Sequence, residues 1–219
     1  MGSTYVHPDV AAVRRLHAAL YARGAGGGTR SSWVEHQTQT LLEAHAAGDP
    51  AATIQIRAVV PQRAHDTPEQ ILDTPLTADE AFAAIALEHG FDDPSAVDET
   101  TLDLDFEVAL DTIEAGDLAA FRRLLERVPH LPTMRSAFGH GATLLHYLSA
   151  NGVEIARQGV PHDAPRFAMA LIEAGADPTA TARAYGGDHT VRALFETSAH
   201  PISAGVDAEF RHVLEVSGA

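Results

Sequence analysis

The second half of this chain repeats its own spacing, and no other feature of the sequence restricts the possible folds as much. Ile113-Glu114-Ala115-Gly116-Asp117-Leu118 runs on to Phe121, Leu124 and Leu125, so a glycine precedes an apolar stripe that ends in a double leucine. Thirty-six residues after Gly116 stands Gly152, which closes the segment Gly141-Ala142-Thr143-Leu144-Leu145-His146-Tyr147-Leu148-Ser149-Ala150-Asn151-Gly152. Within it Thr143 is placed to cap a helix, Leu144, Leu145 and Leu148 to bury its inner stripe, and Ala150 and Gly152 to keep a helix pair close. Downstream, Ala170-Leu171-Ile172-Glu173-Ala174-Gly175-Ala176-Asp177-Pro178 ends another helix, and a degraded third unit starts at Gly187-Asp188-His189-Thr190 and carries Phe210, Val213 and Leu214. Short helix pairs cannot bury an apolar face alone, so such units have to stack on one another.

The segment Gly141 to Gly152 matches the pattern G-x-T-P-L-H-x-A-A-x-x-G with only the Pro missing, and Leu171 to Asp177 matches the ending L-L-x-x-G-A-D. Over about residues 104 to 219 the chain therefore resembles ankyrin-repeat proteins. The stretches Ser136 to Tyr147, Ala150 to Glu154, Tyr185-Gly186-Gly187 and Ser198-Ala199-His200-Pro201 are similar to bacterial members in which a helical segment precedes the repeats, and Leu76 to Phe91 is similar to the last helix of that segment. The resemblance implies an all-α protein, an ankyrin-type solenoid of about three irregular units (98–219) behind an N-terminal helical cap (1–97). It further implies binding of a partner, most often a protein, through a concave surface.

Upstream, the chain reads as helices with punctuation between them. Pro8-Asp9 opens a helix with Val10, Val13, Leu16, Leu20 and Tyr21 on one face, stopped by Gly24-Ala25-Gly26-Gly27-Gly28. That run lacks a Lys, follows no strand and fits no phosphate cradle, so it is a linker or loop. Ser31 and Ser32 cap a second helix to about Ala47, Ala51 to Val60 form a third, and Pro61 to Pro75 an irregular connection with one helical turn at Glu69 to Leu72. Thr77-Ala78-Asp79-Glu80 has capping-box spacing, Phe82, Ile85, Ala86 and His89 share a face, and Gly90 stands at the C-cap. The acidic stretch Asp92 to Asp105 reads as a solvated boundary rather than a metal site.

Composition removes whole classes of function. Thirty acidic against fifteen basic residues give a net charge of −15, and every basic residue is Arg. Such a chain repels phosphate backbones and anionic headgroups, which argues against nucleic acid and membrane surfaces as partners. With no Cys there is no disulfide framework, no thiol catalysis and no Cys-containing zinc site. The longest apolar run, Ala81 to Leu87, is far shorter than the roughly 20 residues of a membrane span, and the first residues lack the shape of a signal peptide. The expectation is a soluble, cytoplasmic protein.

Departures from the repeat locate the expected chemistry. An insertion of about eleven residues, judged against a 33-residue unit, falls within Val153 to Phe167 and brings Glu154, Arg157, His162, Asp163 and Arg166, a loop expected to lie on one face of the solenoid. Val191-Arg192-Ala193 stands where the pattern gives P-L-H, which puts Arg192 at a normally buried position, paired with Asp188 or Glu196 or facing an anionic ligand. His146 holds the structural position of the repeat, bonding loop backbone. No two histidines have the spacing of a helical metal pair, so no metal and no cofactor is expected. Recognition of a protein partner or a small molecule is expected through Phe138, His140, Tyr147, Asn151, Tyr185, His189 and Arg192. The rival expectation is a cofactor-independent cyclase or isomerase of specialised metabolism, with acid–base chemistry drawn from His140, Glu154, His189, Arg192 and His200. The sequence closes on the last helix pair without a polar capping unit, from which self-association into a dimer is expected.

Overall fold

The computed structural model describes residues 3–23 and 28–218, which leaves Gly24 to Gly27 of the glycine run outside the described residues. Among them the chain is mostly helical, with thirteen α-helices and two small sheets of two strands each. No described helix is long and apolar enough to cross a membrane.

The N-terminal half holds α1 (Pro8–Leu16), α2 (Ala18–Arg23), α3 (Arg30–Ala46), α4 (Pro50–Val59), α5 (Pro68–Asp73) and α6 (Ala78–Glu88). Three capping boxes set its boundaries. Thr77 and Glu80 start α6 as the spacing implied, Thr67 and Gln70 turn the expected single turn into the whole of α5, and Thr29 with Ser32 starts α3 ahead of the Ser pair expected to cap it. Asp49 caps α4, with Pro50 at the first helical position. The first expected helix breaks into two at His17, whose ring is buried and bonds Gln55 of α4 at 2.9 Å. Val34, Leu41, Ile56, Ile71 and Ile85 form the core of this half.

The second half is two rows of helices. α7 (Leu104–Glu114) packs on α8 (Leu118–Arg127) and on α9 (Leu144–Leu148), and α9 packs on α10 (Ala164–Glu173) and α11 (Val191–Glu196). In the other row α8 touches α10, and α10 touches α13 (Asp207–Val216), with the short α12 (His200–Ala204) between α11 and α13 and against the strands Thr4–Val6 and Gly159–Pro161. One core runs along both rows through Phe106, Phe121, Leu144, Phe167 and Phe210. Between α10 and α11 the chain makes the hairpin β3 (Thr181–Ala184) and β4 (Gly187–Thr190), with Tyr185 at its tip at φ 52.

The two halves are stitched together by the very insertion expected to be a surface loop. Strand β1 (Thr4–Val6) pairs antiparallel with β2 (Gly159–Pro161), placing Tyr5 opposite Val160. Helix α1 packs on the turn Ile155–Arg157, and Val10 and Val13 join Ile155 and Ala156 in one cluster. Phe138 is buried with Leu20, Trp33, Ala86, Phe91 and Leu102. The insertion is therefore an interior seam, because its apolar residues Val153, Ile155 and Val160 have the N-terminal elements to pack against.

Candidate functional site

At the centre of the seam sits a buried carboxylate between two imidazoles. His89 follows the last residue of α6, and Gly90, at φ +80, turns the chain away so that the ring points inward. Its Nε2 donates to Gln37 Oε1 of α3 at 2.5 Å, its Nδ1 lies 3.4 Å from Glu154 Oε1, and the Phe138 ring lies against it with centroids 4.0 Å apart. His140 comes from the loop ahead of α9. Its Nδ1 accepts the Ala142 N–H at 3.0 Å, and its Nε2 lies 3.4 Å from the same Glu154 oxygen. Tyr147 donates its hydroxyl to that oxygen at 3.3 Å. Burial acts to raise the Glu154 carboxyl, but the two imidazoles outweigh it and hold the group well below the usual carboxylate range.

By spacing alone the trio could hold a metal ion, since one ligand atom of each residue lies within 4.8 Å of the others. The surrounding hydrogen bonds suit a proton better. A ligating imidazole passes its second N–H to an acceptor, as His89 does to Gln37. His140 instead turns its second nitrogen toward an N–H donor, so its own proton sits on Nε2, in the place a cation would need. His89 Nδ1 faces the same Glu154 oxygen at 3.4 Å, so one buried carboxylate stands between two rings at the joint between the halves.

Two further polar clusters line the seam. Arg157 is buried against α7, donating to Glu107 at 2.9 Å, Asp111 at 2.9 Å and Glu114 at 3.0 Å, with the Tyr21 ring 4.8 Å from its guanidinium carbon. Burial pushes the Glu107 carboxyl up to about 7 despite Arg157. Glu88 accepts from the Ile155 N–H at 2.9 Å and from Gln55 at 2.7 Å, which continues the chain of bonds to His17.

Above the seam the halves leave a cleft of ≈ 880 Å³. Ile54, Val59 and Leu87 line it from one side, Val153 and Ile155 from beneath, and Tyr185 and His200 from the other side. Compared with protein-family models, with curated proteins and with solved structures, the chain matches none. Its site has to be argued from geometry.

The geometry distributes the expected residues over four places. His140 and Glu154 do come together, but Phe138, His140 and Tyr147 are each under 5% exposed (4%, 2% and 3%), and of the three His140 alone borders the cleft. Asn151, Tyr185 and His189 gather at the hairpin. Asn151 donates to Leu194 O and accepts the Tyr185 hydroxyl at 2.5 Å, and the Tyr185 ring stands edge-on to His189 with centroids 6.3 Å apart. His200 lies at the cleft, its ring 5.9 Å from that of His7. Arg192, expected at a buried position, is 41% exposed and bonds Glu196 at 3.0 Å, because its helix turns that side chain to solvent. The expected catalytic set is thus not assembled in one place. His146 does take its structural role, its Nδ1 accepting the Thr143 N–H at 3.1 Å. Burial holds it low, at about 4.

Sequence reasoning placed His89 on the inner face of its helix without connecting it to Glu154, and passed over Gln37, Glu88 and Arg57. The connecting signal is the pair Gly90 and Gly139, where the two halves come within a backbone's thickness of each other. A Cβ on Gly90 would meet His140 N at 2.2 Å, and one on Gly139 would meet Gly90 O at 2.6 Å.

Proposed function

We propose that the protein is a cytoplasmic recognition module in which ankyrin-type units and an N-terminal helical cap together enclose a small-molecule site. The ankyrin-type reading is supported by the two rows of stacked helices, by the thirty-six-residue separation of Gly116 and Gly152, both at positive φ, and by the hairpin between the second and third units. The observation that carries the function is the cleft. At ≈ 880 Å³ it has the size of small-molecule sites, which run from roughly 300 to 1,000 Å³, and both halves of the chain contribute its walls.

Recognition of a protein through an open concave face is the weaker reading, because three of its seven contact residues are buried in the seam. Acid–base catalysis is weaker too, since Glu154 lies inside the seam with His140 Nε2 at 3.4 Å, His140 Nδ1 is taken by the Ala142 N–H, and Arg192 is bonded to Glu196. The reading is tested by a fragment-library titration followed by backbone and methyl chemical shifts. Shifts grouped at Ile54, Leu87, Val153 and Tyr185 are expected. Shifts confined to the outer faces of α8, α10 and α13 would contradict it.

A further inference from the structure

The cleft also carries information about what it takes, and the inference drawn here rests on the reading of the cleft as the ligand site. Most of its charged groups are already committed to partners within the chain. Glu88 is satisfied by Ile155 and Gln55, and Asp92 is paired with Arg183. Three donors are not. Arg57, in the last turn of α4, is exposed and makes no ion pair or hydrogen bond among the described residues. His7 accepts the Asp9 N–H on Nδ1, which leaves its proton on Nε2, and no ring nitrogen of His200 is hydrogen-bonded among the described residues. The two rings come from opposite halves of the chain and meet edge to face at 89°. Against these donors stands Asp9, 3.8 Å from His7.

Apolar side chains share these walls, with Ile54 and Val59 on α4 beside Arg57, Leu87 on α6, and Val153 and Ile155. An amphipathic ligand matches a wall of this kind, with its apolar body on the aliphatic side chains and an anionic head on the donors. The size of the head follows from the charge present. Arg57 supplies one full positive charge, whereas burial and the neighbouring His7 hold His200 below the usual imidazole range, so at neutral pH His200 supplies an N–H group rather than charge. In a chain of net charge −15 that is enough for one negative charge and too little for a phosphate dianion. We propose that the cleft binds an amphipathic monocarboxylate, its hydrocarbon part on Ile54, Val59 and Leu87 and its carboxylate on Arg57 and the His7–His200 pair.

The test is a titration of the full chain with octanoate, with 1-octanol and inorganic phosphate as comparators, followed by histidine ring and methyl signals in NMR spectra. Octanoate is expected to shift the His7 and His200 ring signals together with the Ile54 and Leu87 methyls, and to bind at least about tenfold more tightly than octanol, as a charge-assisted bond implies. Arg57→Gln and His200→Asn, both changes at exposed or half-buried positions, should each weaken octanoate about fivefold or more and leave octanol unchanged. Equal binding of octanol and octanoate in the cleft would overturn the carboxylate inference and leave the cleft reading standing. Phosphate binding as tightly at the same histidines would overturn the amphipathic match, and octanoate shifts away from the cleft would overturn both.

Discussion

Arg157 is enclosed by three carboxylates and a tyrosine ring, and its replacement isolates whatever it leaves behind. Arg157→Met leaves the buried Glu107 without its cation, while Asp111 stays in solvent and Glu114 keeps Arg14 at 3.6 Å, and should cost about 3 kcal/mol in urea unfolding at pH 7. Glu107→Gln should cost less than about 1 kcal/mol at the same pH, because burial has already raised that carboxyl to about 7 and Arg157 keeps two other partners. Equal losses for the two variants would contradict this account of the cluster. His146 makes the fold acid-sensitive. Its imidazole is held at about 4 when folded against 6.5 when free, so the folded state binds fewer protons across that interval. The stability it allows is complete above pH 6.5 and falls as the pH drops toward 4, by up to about 3 kcal/mol. Glu154 works in the same direction at lower pH: its depressed carboxyl stabilises the fold above the ordinary carboxylate range and loses that contribution as it is protonated. Urea unfolding at pH 7, 5.5 and 4.5 measures the sum, and a His146 ring titrating near 6.5 in the folded protein would refute the first part.

At the scale of elements, local signals were legible and long-range partnerships were not. The start of α6 could be read from Thr77 and Glu80 because a capping box spans four adjacent residues. The break at His17 could not, since it depends on Gln55, thirty-eight residues away. The insertion was visible as extra length, but its burial depends on β1, which pairs with it from the other end of the chain. Arg192 was misplaced for a related reason: the pattern assigned it a buried register, and the helix rotates it to Glu196. The glycines separate the two kinds of constraint. Gly48 and Gly90 both have positive φ, yet a Cβ on Gly48 meets nothing within 4 Å, whereas one on Gly90 collides with the His140 backbone. Gly48→Ala should cost about 1 kcal/mol, the backbone penalty alone, and Gly90→Ala about 3 kcal/mol or more, with altered His89 and His140 ring signals. Similar losses at the two positions would mean that the halves do not meet at Gly90.

For the whole molecule, the recurrent glycine and leucine spacing indicated helix pairs in the second half, and the structure supplies what spacing could not, namely the position of the N-terminal helices. They lie against the loops around α9, bury Phe138 and His140, and leave a cleft whose walls neither half possesses alone. The proposed ligand site and the enclosure of Glu154 between His89 and His140 both depend on that docking. The most direct measurement of it uses the absence of Cys from the chain, which makes an introduced thiol pair unambiguous. Tyr5 and Val160 face each other across the β1–β2 pair, at the Cα separation of about 4.5–5.5 Å that a disulfide spans. On oxidation the double variant Tyr5→Cys, Val160→Cys should form one intramolecular disulfide in a monomer and unfold at a higher temperature than its reduced form. Free thiols after oxidation, or a disulfide found only between chains, would show that the N-terminal segment does not lie on the second half.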